Sequence, residues 1–89
     1  MDILIGKVTH YYSRLSVAVV DLEGEIEIGE LITIQGHTTD LVQKVISMEI
    51  DHEKIQKAGP NEEVAIKVID PVRRGDLIFK VAEGEDFPA

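Results

Sequence analysis

No stretch of this chain sustains a 3.6-residue apolar period, and that constrains its fold more than any other feature. β-Branched residues instead gather in short runs separated by Gly, Pro, Asp and Asn. A helix needs apolar residues three and four apart to bury one side, whereas a pleated strand needs short runs bounded by turn residues. The sequence therefore predicts an all-β chain.

The first strand runs from about Ile3 to Tyr12 and the second from Leu15 to Leu22, joined by Ser13-Arg14. Val17-Ala18-Val19-Val20 is apolar at every position, which places it at the centre of a sheet and not at an edge. Glu23 to Glu30 alternates acids with apolar residues between two glycines, so its isoleucines can face inward while its glutamates stay in water. Leu31 to Gln35 is the next strand, closed by Gly36-His37-Thr38-Thr39-Asp40. A long strand follows from Leu41 to about His52, with Ile46, Met48 and Ile50 on one face. Leu41, Val42 and Val45 fall out of that phase, which calls for a bulge or bend of the kind barrel closure requires. Lys54 to Glu62 reads as irregular. Val64 to Ile69 is a strand ended by Asp70-Pro71, and Arg73-Arg74-Gly75-Asp76 turns the chain into Leu77 to Val81.

Six or so strands with regularly spaced turns predict a small antiparallel β-barrel, since closure removes exposed strand edges. Two packed sheets are the alternative. Residues 1–82 form one domain in this reading, and the acidic 83–89 segment a flexible tail. Eighty-nine residues without cysteine must rely on one economical core, because so short a chain hides only about 60% of its unfolded surface. The lack of cysteine and of a signal-like N-terminus leads to the expectation of a cytoplasmic protein that does not enter a membrane.

With 17 Asp and Glu against 9 Lys and Arg, the net charge is -8. That disfavours a broad nucleic-acid-binding face, which needs clustered cations to neutralise phosphate, but it leaves room for one small site. The phosphate-cradling and dinucleotide glycine motifs are absent, as are the G-x-S-x-G and H-E-x-x-H patterns. No nucleotide, cofactor, metal or catalytic residue is expected. His10, His37 and His52 lie on different segments without ligand spacing.

Three features remain as binding candidates. His10 ends the string Gly6-Lys7-Val8-Thr9-His10. His37, Thr38, Thr39 and Asp40 place an imidazole, two hydroxyls and a carboxylate in one loop, which either contacts a ligand or simply caps the turn. Arg73-Arg74, the one adjacent cationic pair, either meets an anionic partner or is a solvated turn.

The succession from Leu15 through Asp21-Leu22-Glu23-Gly24, then Ile26-Glu27-Ile28-Gly29-Glu30-Leu31-Ile32-Thr33-Ile34-Gln35-Gly36, resembles the second, β-barrel domain of translational GTPases such as elongation factor Tu. Arg74-Gly75-Asp76-Leu77 looks like that domain's closing turn, and the likeness spans Ile3 to Val81. The strings Gly6-Lys7-Val8-Thr9-His10-Tyr11-Tyr12 and Gly36-His37-Thr38-Thr39-Asp40 are more closely similar to small stand-alone translation elongation factor-like proteins and to the C-terminal barrel of collagenase-like peptidases.

The first resemblance implies a translation-factor-type barrel that contacts a tRNA end or a translation component. Glu63, however, falls where the elongation factors carry the Asn of the aminoacyl pocket, and a carboxylate has no amide donor. The peptidase resemblance implies an accessory domain that binds a separately encoded catalytic protein, either a collagenase-like peptidase or an RNA-modifying enzyme. On either reading the chain is a non-enzymatic binding module.

Overall fold

The alternating runs do form strands. The computed structural model describes residues 2–81, and no helix occurs among them. Ten strands follow in order: β1 (Asp2–Tyr12), β2 (Val17–Leu22), β3 (Ile26–Glu27), β4 (Leu31–Gln35), β5 (Asp40–Lys44), β6 (Met48–Ile50), β7 (Glu53–Ile55), β8 (Lys57–Ala58), β9 (Glu63–Lys67) and β10 (Leu77–Val81). Eight of them make one antiparallel sheet in the order β5-β4-β10-β1-β2-β9-β6-β7, and β3 pairs with β8 separately. Residues 83–89, expected to be a tail, lie outside the described residues.

The two ends of the large sheet meet through one bent segment. β5 pairs with β4 from Leu31–Lys44 to Gln35–Asp40, whereas β6 pairs with β9 at Met48–Ile66 and Glu49–Ala65. The long strand expected over Leu41–His52 is therefore broken at residues 45–47, where the chain leaves one neighbour for another. The ladder is interrupted there, and substitute bonds span it. The Val45 N–H donates to Glu30 O at 2.9 Å, the Gly29 N–H donates to Val45 O at 2.9 Å, and the Lys67 N–H donates to Ser47 O at 3.4 Å.

Gln43 completes the join. Its side-chain amide donates to Lys67 O at 2.9 Å, and its Oε1 accepts from the Ile69 N–H at 2.8 Å. One side chain thus satisfies backbone groups at the last residue of β9 and just beyond it. If β5 and β6 count as one bent strand, six strands carry the wall, matching the number expected. β3, β7 and β8 are short additions, the last two formed by the segment read as irregular.

Ile5, Val20, Ile32, Ile34, Ile66 and Ile78 fill the interior at 1% exposure or less. Each such side chain contributes on the order of 1.5–3 kcal/mol when fully buried. β2 is central, between β1 and β9, as its apolar run required. Its second face is only partly covered, however, since Val17 and Val19 are half-buried while Ala18 and Val20 are sealed. The bend also separates Ile46, 58% exposed, from Met48, which is buried, so these two do not share an inward face. Bulges in β1 at Leu4–Gly6 and Val8–His10 give the longest strand the curvature it needs to pair on both sides.

Candidate functional site

The turn Arg73-Arg74-Gly75-Asp76 is held by its last residue. The Asp76 Oδ2 accepts from the Arg73 N–H at 2.8 Å, and the Asp76 N–H donates to Arg73 O at 3.0 Å. Gly75 sits at φ +96, a conformation that side chains with a Cβ resist. The turn is fastened to β1 by the Gly75 N–H donating to Val8 O and the Val8 N–H donating to Asp76 O, both at 2.8 Å. Asp76 is itself buried, whereas Arg73 and Arg74 are exposed.

The hairpin between β4 and β5 lies against this turn. The Gly36 N–H donates to Thr39 O at 2.8 Å, and Gln35 faces Asp40 across the ladder. A Cβ built on Gly36 would overlap the Asp76 carboxyl, standing 2.6 Å from its Cγ. Glycine is required because the carboxylate lies directly over its Cα. Two candidate features that the sequence holds 33 or more residues apart thus meet at one end of the barrel.

Within this pair of turns, His37, Thr38 and Asp40 are exposed beside the exposed Arg73 and Arg74, while Thr39 is buried. No hydrogen bond links the side chains of His37, Thr38, Asp40 or Arg74 to another described residue. Thr39 serves the turn through its carbonyl. His10 stands apart on the outer half of β1, opposite Val19, with its ring 4.2 Å from that of Tyr12 and tilted by 50°. Among the described residues no group of three or more His, Cys, Asp or Glu side chains is arranged to hold a metal ion.

Sequence reasoning missed a shallow groove of about 350 Å³ beside β3 and β8, lined by Glu25, Glu27, Glu30, Glu62, Lys57 and Lys80 among others. Two of its carboxylates serve the fold. Glu30 Oε1 accepts from the Glu27 N–H at 2.7 Å, and its Oε2 lies 3.4 Å from Lys80 Nζ. Glu62 Oε1 accepts from the Gly59 N–H at 2.7 Å. The alternation of acids in Glu23 to Glu30 was the available signal. It could not show which lysine would fold back onto them.

The described fold has a counterpart of known structure. The chain superposes on the C-terminal domain of a Geobacillus thermoleovorans protein named as a U32 peptidase with a TM-score of 0.82, covering 88% of this chain and 91% of that one. At 18% identity this likeness shows the fold alone.

Sequence comparison finds proteases as well. The chain is 38% identical over 80 residues to an uncharacterized protease of Methanocaldococcus jannaschii, and 35% identical over 86 residues to a collagenase of Porphyromonas gingivalis. These matches take in 89% and 94% of this chain but 20% and 21% of the proteases. The chain therefore spans about a fifth of the length of the curated relatives it matches. No family model matches it. Of the three resemblances read from the sequence, these relatives support the one to collagenase-like peptidases and lend nothing to the two to elongation factors. Among the described residues no helix is long and apolar enough to cross a membrane.

Proposed function

We infer that the chain is a binding accessory of a collagenase-like peptidase, acting beside catalytic machinery that other residues or another chain supply. One observation carries this reading. The likeness takes in nearly all of this chain and only a fifth of each protease, so what is shared is a module and not a whole enzyme. The exposed cations and imidazole on adjoining turns suit a binding role.

The test mixes the chain with the M. jannaschii protease from which the matching 80-residue segment has been removed. Saturable binding by calorimetry is the expected result. Absence of heat and of co-migration at all concentrations would overturn the reading. Gelatin incubated with the chain alone should stay intact, and cleavage would show that the chain is itself catalytic.

A second reading, contact with an RNA end, is favoured by one placement. Arg73, Arg74 and His37 are exposed on adjoining turns, where a phosphate could meet them. Titration with tRNA at low salt, where phosphate contacts are strongest, tests it. A flat titration would remove RNA from the account.

A further inference from the structure

The outer surface of β5-β4-β10-β1 carries a largely apolar row that the described residues cover only in part. Cross-strand pairing puts Leu4 opposite Phe79, Phe79 opposite Thr33, and Thr33 opposite Val42. Ile32 and Ile34, which flank Thr33, are fully buried in the interior, so strand alternation turns this row outward. Leu4 is 38% exposed and Val42 55%, and Phe79 is half-buried. The adjoining row, Lys7–Leu77–Gln35–Asp40, is mostly polar and forms a rim. An apolar centre with a polar rim is the anatomy of a protein-protein contact.

Two further observations single out this face. Thr33 is 7% exposed, and its Oγ1 has no hydrogen-bond partner among the described residues, so a donor is left unused in the middle of the row. The second is where the chain enters the barrel. Asp2 pairs with Val81, next to the Leu4–Phe79 pair. In the solved protein of the same fold the matching part is a C-terminal domain, so the rest of that protein leads into its first strand. A body joined there enters next to the Leu4–Phe79 end of this row.

We propose that the row Leu4–Phe79–Thr33–Val42 is the face on which the catalytic portion of a collagenase-like peptidase docks. The proposal rests on the accessory reading above and adds the surface. The occupant is a protein surface with an apolar centre of its own.

Because the chain has no cysteine, single cysteines report on each face. Val42→Cys probes the row, while Leu15→Cys and Ile69→Cys replace side chains that are 60% and 57% exposed elsewhere. Each is labelled with a thiol reagent, alone and with the trimmed M. jannaschii protease. Should circular dichroism show the trimmed protease unfolded, a chimera with this chain in place of the matching segment is used instead. The expected result is labelling slowed by about tenfold or more at position 42 and unchanged at 15 and 69, since an interface centre excludes solvent. Binding that slows position 15 or 69 and spares 42 would overturn the face and leave the accessory reading standing. No binding, with no slowing at any position in the chimera, would remove both. Slowing at 42 in the chain alone that grows with its concentration would make a second copy the occupant and overturn the proposal.

Discussion

The carboxyl of Asp76 lies directly over the Cα of Gly36, and through that contact the β4–β5 hairpin and the turn before β10 become one end of the barrel. Asp76 is fixed in place by the Arg73 N–H, so it cannot swing aside for a bulkier neighbour. Gly36→Ala should therefore destabilise the protein by about 2 kcal/mol, as overpacking does, and Asp76→Ala by about 1–3 kcal/mol through the unpaired N–H. The two losses should not add. With Asp76 shortened the alanine fits, so urea unfolding of the double variant should show a coupling of at least about 0.5 kcal/mol. Strict additivity would mean that the contact carries no strain.

Gln43 bridges the interrupted ladder, so Gln43→Leu should cost about 2–3 kcal/mol by leaving the Ile69 N–H and Lys67 C=O without partners. Gln43→Glu is the sharper variant. A buried carboxylate facing the Lys67 carbonyl would have its folded-state pKa raised, so the folded state would hold the proton more tightly than the unfolded one. Its stability should then fall as pH rises from the ordinary Glu value of about 4.3 towards neutrality. Thermal unfolding of this variant and of the parent at pH 5 and pH 7.5 measures the difference. A flat pH response relative to the parent would show that the residue turns out to water.

Thr33→Val removes a buried hydroxyl without a partner while keeping the shape of the side chain. It should stabilise the isolated chain by about 1 kcal/mol, and a change of that size raises Tm by roughly 4–8 °C in a domain of this length. Calorimetry that finds the variant less stable would mean that the hydroxyl is satisfied in solution.

The turn at Arg73–Asp76 separates backbone from side-chain roles. Gly75→Ala, placed at φ +96, should cost about 1–2 kcal/mol. Arg73→Ala and Arg74→Ala should stay within about 0.5 kcal/mol of the parent, because the turn uses the backbone of Arg73 and both side chains are exposed. Any loss of partner or RNA binding in those two variants would then report on recognition, with unfolding excluded by the same melts.

Much of the candidate end was legible in the linear pattern. The strings Gly36 to Asp40 and Arg73 to Asp76 stand out as polar turns between apolar runs, and both are turns in the fold. Their meeting was not legible, because it depends on β10 lying between β4 and β1, a pairing that no local pattern encodes. The out-of-phase residues Leu41, Val42 and Val45 did announce a bend. They could not say that Ile46 would be left in water or that Gln43 would hold the join.

By itself the sequence determined an all-β chain, the places where most of its strands end, and a wall of about six strands, because alternation and turn chemistry are local and act within a few residues. Tertiary structure alone decided which strands became neighbours, which polar side chains were buried to repair the interrupted ladder, and which apolar residues formed the outer row. Those outcomes depend on closure. When the strand at residues 40–50 leaves β4 for β9, it fixes the ring, and with it the inward or outward sense of each position along the strands.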